Sequence, residues 1–361
     1  MNRETSIYLD LTRFVAALTV FLGHVSGQRL TGGFLWQFGP FMAEAVAIFF
    51  VLSGFVIGYV ADSKENTPSV FAINRAARIL SVTAPTLAIT FALDTLGRTL
   101  RPDLYNASWG YDPQGQDWSF LACLFFINEL WTNRIHPGSA LPYWSLGYEV
   151  WYYIIFALAV FTRRRVAWVA LALMVVGPKI AAMFPLWLLG LGTYRLSQRM
   201  SLARSAGIAI WLGSILLWIG YEMFLRPRGW LQGWGPSFIE RPEILTDYIP
   251  GLCFATNLVG FIAASPWLGR PLLGLARPIR WAAGATFTLY LMHLPIAQFL
   301  TTVVPWPPTA WATRVTIPLL TLTLVFLVAA VTERKKEAWR RAIAKLVDLA
   351  FTRQPAPRGL S

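Results

Sequence analysis

Tyr8-Leu9-Asp10-Leu11-Thr12-Arg13-Phe14-Val15-Ala16-Ala17-Leu18-Thr19-Val20-Phe21-Leu22-Gly23-His24 is the stretch whose reading decides the fold. It is apolar enough for a membrane helix, yet it holds a guanidinium and an imidazole that do not belong in lipid. At about 100° per residue, the eleven steps from Arg13 to His24 leave about 20° of offset, so both lie on one face, about 16 Å apart along the axis. An ionisable group inside a membrane helix costs roughly 3 kcal/mol or more unless it faces a wet or protein-lined interior. Two on one stripe therefore predict a functional cavity, the alternative being a polar pair that only packs helices. Glu4, Asp10 and Arg13 interrupt the stretch and no small-residue cleavage site follows, so the reading is a retained helix rather than a signal peptide.

The rest of the chain agrees. With 56% hydrophobic and 14% charged residues and a mean hydropathy of +0.51, a chain of 361 residues is too apolar for a soluble domain. The formal charge of +13 would point to nucleic acid in a soluble protein, but here it follows from the collection of Lys and Arg in cytoplasmic loops, and no nucleic-acid partner is expected. Cys123 and Cys253 form no ligand cluster or redox motif, and no disulfide can be inferred.

About ten apolar runs of roughly 20 residues predict an all-α, polytopic membrane protein with both termini cytoplasmic. Their spans are 8–28, 38–60, 79–97, 143–162, 166–183, 184–197, 206–225, 247–264, 281–303 and 311–331, with a helix break around Gly177-Pro178. Residues 119–131 are too short to span and read as a re-entrant or interfacial segment. Letting them cross would move either the early basic loop, with Lys64, Arg75 and Arg78, or the late ones, with Arg163-Arg164-Arg165, Arg195 and Arg199, to the outside. The loops 98–142 and 226–246, rich in Trp, Tyr, Pro, Asp and Gly, suit a cover over an outward-facing site. Most of the 17 Trp lie near helix ends, Trp144 among them, as interfacial anchors. The reading divides the chain into a membrane domain, 1–331, and a basic tail, 332–361, that can lie on the inner leaflet as an amphipathic helix.

Five motifs then occur in order: Arg13-x10-His24; Phe49-Phe50-Val51-Leu52-Ser53-Gly54-Phe55; Arg75-x-x-Arg78-Ile79; Trp144-Ser145-Leu146-x-x-Glu149; and Tyr290-Leu291-x-His293. Together they resemble the membrane acyltransferase-3 family, from Tyr8 to about Val331. The resemblance implies a multi-pass protein of the bacterial cytoplasmic membrane. It implies transfer of an acyl group, most often acetyl from acetyl-CoA, to a hydroxyl of a cell-envelope or exported glycan, in the stand-alone form associated with O-antigen and exopolysaccharide modification. Acyl-CoA, a glycan or glycolipid acceptor and the bilayer are the partners it implies.

Acyl transfer from a thioester to a sugar hydroxyl needs a base for the hydroxyl proton and donors for the developing oxyanion. His24 is the natural base, because a neutral imidazole accepts a proton near physiological pH. Glu149, about 9 Å in from the outer end of its helix, is at similar depth and is expected to orient that imidazole or hold the acceptor; the alternative is a partner for a packing Tyr or Arg. Arg75 and Arg78, three apart at the cytoplasmic mouth, suit the phosphates of CoA, although ordinary positive-inside decoration explains them equally well. Arg13 lies between that mouth and His24 and is read as a donor contact, with a pairing to Asp10 as the alternative. His293, with Tyr290 on the same face, and Trp144 are expected to serve structure or the acceptor. His136 reads as a solvated loop residue, Ser53 as a polar candidate or a packing contact beside Gly54, and Glu44 as a further polar candidate. No metal-binding or nucleotide fingerprint occurs. A secondary transporter or glycolipid flippase is the competing class, since it too needs buried charges and broken helices.

Overall fold

The computed structural model describes residues 1–112, 114, 116–236, 239 and 244–352. Fourteen α-helices organise the described residues: α1 (Arg3–Val25), α2 (Gln28–Thr31), α3 (Met42–Ser63), α4 (Pro68–Leu100), α5 (Gln116–Leu124), α6 (Trp144–Phe161), α7 (Arg165–Arg199), α8 (Arg204–Gly220), α9 (Ile244–Leu268), α10 (Arg270–Gly274), α11 (Ala276–Ala283), α12 (Thr286–Val303), α13 (Trp311–Val331) and α14 (Lys336–Thr352). Among the described residues, eight helical segments are long and apolar enough to cross a membrane. Local chemistry sets several starts. The Asn2 side chain accepts from Thr5 N at 2.9 Å to cap α1, and Thr67 followed by Pro68 opens α4.

The long helix α7 is two arms. Gly177 interrupts it at φ 78°, ψ 178°, a conformation open to glycine. Residues 165–176 continue from the inner end of α6, whereas 178–199 run beside α3 in the same direction, with Gly190 against Val51, Trp187 against Gly54 and Tyr194 against Gly58. The chain therefore reverses at Gly177. The ten expected spans take the two arms of α7 and the run 281–303 separately, whereas α7 is a single one of the eight segments and α12 lies outside that set; the break within 166–197 lies at Gly177 rather than near residue 183.

The reversal is pinned from outside the helix. Trp131 N donates to Val176 O at 3.0 Å, and Lys179 pairs with Glu129 at 2.8 Å while donating to Asn133 O. Residues 116–131 hold only the nine-residue α5 and do not cross, as their length required. Asp94 near the outer end of α4 accepts from Ser139 N (2.7 Å) and Ser139 Oγ (2.6 Å), which fixes the far end of the 98–142 loop. His136, expected in solvent, is instead half-buried with its Nδ1 sealed and unpartnered, and burial lowers its pKa; the loop packs down on Lys179 rather than standing free.

Glu44 at the start of α3 binds Arg226 beyond α8 and accepts from Trp218 Nε1 at 3.0 Å, tying two outer ends together. At the inner end, Glu333 accepts from Phe287 N (3.2 Å), Thr288 N (2.9 Å) and Thr288 Oγ1 (3.0 Å), capping α12. Behind it, α14 packs along α4, so the described part of the basic tail belongs to the bundle's inner end; residues 353–361 of that tail lie outside the described residues.

Candidate active site

A cavity of about 690 Å³, counting the open space at its mouth, lies among α1, α3, α4, α6 and α12. Arg13, Arg75, Arg78, Ser53, Glu149 and Tyr290 all line it, so the structure gathers five of the expected site residues and the polar candidate Ser53 around one space. Arg75 is tied to Glu65 at 2.6 Å and lies 5.7 Å over the Tyr153 ring. Arg78 lies 5.1 Å over Phe287. The Nε atoms of both arginines are sealed from solvent and make no hydrogen bond. Buried guanidinium N–H groups without a partner are costly, and an anion supplied by a ligand satisfies them. Arg13 fits both readings at once: it lines the cavity and pairs with Asp10 at 3.2 Å.

Glu149 does not touch His24. Its Oε1 accepts from Ser53 Oγ at 2.9 Å and from Tyr153, and Trp187 Nε1 donates to Ser53 Oγ at 3.2 Å. The expected Glu149–imidazole contact is thus replaced by a network across α3, α6 and α7. Ser53 is polar wall and packing step together, because a Cβ on Gly54 would lie 1.9 Å from Trp187 O. Tyr153 was legible as the i+4 neighbour of Glu149, on the same helix face. Ser145 Oγ donates to Tyr290 OH at 2.8 Å, and Phe49 meets the Tyr290 ring edge-on at 5.4 Å. Trp144 packs edge-on against Tyr148 (5.2 Å) and Phe50 (6.5 Å) and does not line the cavity.

His24 finds its partner on α12. The His293 Nε2 and His24 Nδ1 atoms are 3.2 Å apart, with ring centroids 5.1 Å apart. His24 Nδ1 also reaches Val20 O at 2.9 Å, and His293 Nδ1 reaches Leu289 O at 2.7 Å. A carbonyl oxygen only accepts, so each Nδ1 carries a hydrogen. Neutral His293 then turns its Nε2 lone pair to the His24 Nδ1–H, which is shared with Val20 O. That assigns the remaining His24 lone pair to Nε2, which meets no partner among the described residues and is not sealed. Such an imidazole can take a proton at Nε2 while two acceptors hold Nδ1–H.

The histidine pair sits one turn outward of Tyr290 along α12, just beyond the cavity, since three residues rise about 4.5 Å. Five residues further out, Gln298 accepts from Arg29 and donates to Leu104 O at 3.0 Å. Beyond it opens an outer groove of about 1050 Å³, lined by Arg29, Arg101, Leu104, Thr301, Thr302 and Trp306. One helix therefore runs from the inner cavity, past both histidines, to an outer groove. The sequence reading missed Arg29, Gln298 and the pairing of the two histidines; Arg29 shares its helical turn with nothing that marked it.

Residues 6–333 match the Acyltransferase domain that defines the acyltransferase-3 family. Over 153 residues, 38% of this chain and 42% of the relative, the sequence is 29% identical to the exopolysaccharide production protein ExoZ of Rhizobium meliloti (strain 1021). The chain thus spans less than half the length of that relative. No solved structure matches.

Proposed function

The chain belongs to the acyltransferase-3 family, and we propose that it moves an acyl group, acetyl in the first instance, from acyl-CoA to a hydroxyl of an envelope or exported glycan. The reading places it in the bacterial cytoplasmic membrane, with the donor at the inner cavity and the acceptor at the outer groove. The observation that carries it is the convergence of three guanidinium groups, Arg13, Arg75 and Arg78, on one cavity. Guanidinium forks suit the pyrophosphate and 3′-phosphate of CoA. Arg13 lies on the path from those arginines to His24.

In the proposed reaction His24 Nε2 takes the acceptor hydroxyl proton, and the oxygen attacks the thioester carbonyl. The carbon–sulfur bond breaks, CoA leaves as thiolate, and the proton held by His24 passes to it. Val20 O and His293 Nε2 hold the imidazolium between the two steps. Glu149, fixed by Ser53 and Tyr153, lines the same cavity as the arginines. The similarity to an exopolysaccharide production protein supports a glycan acceptor.

Donor binding tests the reading. Arg78→Ala should weaken binding of acetyl-CoA about tenfold or more, the scale of a lost charge-assisted contact, and should weaken acetyl-dephospho-CoA less. Equal losses for both donors, measured by titration calorimetry on the purified protein, would remove Arg78 from the 3′-phosphate. Absence of acetyl-CoA binding to the unaltered protein would remove the donor altogether.

A further inference from the structure

The outer groove has an unbalanced charge at its inner end. Arg101 is neutralised there by Asp103, which accepts from its Nε at 3.0 Å and its Nη2 at 2.8 Å. Arg29 has no such partner. One of its N–H groups donates to the amide oxygen of Gln298, and its guanidinium stacks 3.8 Å from the centre of the Trp109 ring. Its other N–H groups meet no acceptor among the described residues, and none is sealed. The carboxylate of Asp94, on the neighbouring α4, is engaged by Ser139.

The placement is built. Gln298 holds Arg29 from α12, and Leu104 O accepts from both Gln298 Nε2 (3.0 Å) and Trp109 Nε1 (3.1 Å), so helix, loop and aromatic platform fix one guanidinium. Arg29 lies five residues beyond His24, and its partner Gln298 lies five residues, about 7.5 Å of helix rise, beyond the His293 that touches His24. Burial lowers the Arg29 pKa to about 10, so it remains a cation at neutral pH. A fixed guanidinium with free N–H groups is a fork for a carboxylate or a phosphate. Thr301, Thr302 and Trp306 furnish the groove with hydroxyls and an aromatic face, which suit a sugar ring.

We propose that the outer groove takes an acceptor bearing a negative charge close to the hydroxyl that reacts, with Arg29 binding that charge. This rests on the acyltransferase reading and adds the acceptor's chemical class. The charge has two sources with shared chemistry: a carboxylate on the sugar, or the phosphate that joins a sugar to its lipid carrier.

Binding to the full chain in detergent separates the sources. The probes are an oligosaccharide of alternating hexuronate residues, its carboxyl-reduced neutral counterpart, a short prenyl phosphate and the matching prenol. One charged probe should bind about tenfold or more tighter than its neutral counterpart, and Arg29→Gln should erase that difference. Arg29→Lys should keep part of it, and Arg199→Gln, at the inner end of α7 and outside the groove, all of it. Preference for the hexuronate identifies a charged sugar; preference for the prenyl phosphate identifies the carrier. Equal binding, no binding of any probe, or a preference that survives Arg29→Gln overturns the inference. Acetyl-CoA titrated into the same samples keeps the two readings apart. Unchanged donor affinity in Arg29→Gln shows an intact fold, and loss of donor binding by the unaltered protein counts against acyl transfer alone.

Discussion

His24 commits one ring nitrogen to Val20 and His293 and leaves the other open, so its role and its dependence on His293 are separately testable. His24→Ala should lower acetyl transfer by about 10² to 10⁴, the range for a lost general base, with membrane level and donor binding retained. Loss of His293 should cost less, because it acts through His24. His293→Gln should recover part of the loss seen in His293→Ala, since an amide oxygen can still accept from Nδ1–H. Full rates in His24→Ala, followed as label passed from acetyl-CoA to glycan, would end the base assignment. At this scale the sequence was informative for several charges in or beside apolar runs: Arg13, Glu149 and the Arg75–Arg78 pair all reached one cavity, whereas Glu44, Asp94 and Lys179 serve structural ties. The His24–His293 contact joins residues 269 apart, and no local spacing encodes it.

Among the elements, the arms of α7 depend on one conformation. Gly177 has φ 78°, and a Cβ there would lie 2.7 Å from Trp131 Cα, a backbone atom that cannot swing away. Gly177→Ala should therefore cost about 2 kcal/mol or more, seen as a lower unfolding midpoint in detergent. An unchanged midpoint would mean that the reversal is not glycine-dependent. The Gly-Pro step was visible as a break in the sequence, but the reversal point was displaced by about six residues. Hydropathy alone continues through 166–197, whereas the turn is set by Trp131 and by the Lys179–Glu129 pair from a distant loop.

For the whole molecule, the basic loops and the helix ends agree on which termini share a side. Asn2 Nδ2 donates to Ser265 Oγ at 2.7 Å, which brings the start of α1 to the end of α9, and Glu333 brings the end of α13 to the start of α12. The sidedness itself is testable at exposed positions. In a background carrying Cys253→Ser, an impermeant thiol reagent added to intact cells should label Ser108→Cys and spare Ser201→Cys. The opposite pattern would invert the protein and exchange the donor and acceptor sides. The membrane-spanning helices were legible because each needs about 20 apolar residues, and loop 98–142 was legible as a cover from its composition; the contacts of Leu104 and Trp109 that fix it were not, because loop backbone contacts leave no periodic trace.

The two close approaches at Gly54 and Gly190 have a mechanical consequence. Each glycine meets the backbone of the other helix, with virtual Cβ atoms only 1.9 Å from Trp187 O and Val51 O, so α3 and the second arm of α7 are locked like meshed teeth. That wall of the inner cavity cannot yield when a substrate enters. Opposite it, α4 and α12 meet through side chains, with Arg78 lying 5.1 Å over the Phe287 ring. Backbone amides of residues 50–55 should accordingly exchange with deuterium more slowly than those of 286–290, and saturating acetyl-CoA should slow only the second set. The cavity then has one side fixed by backbone contact and one side set by side chains.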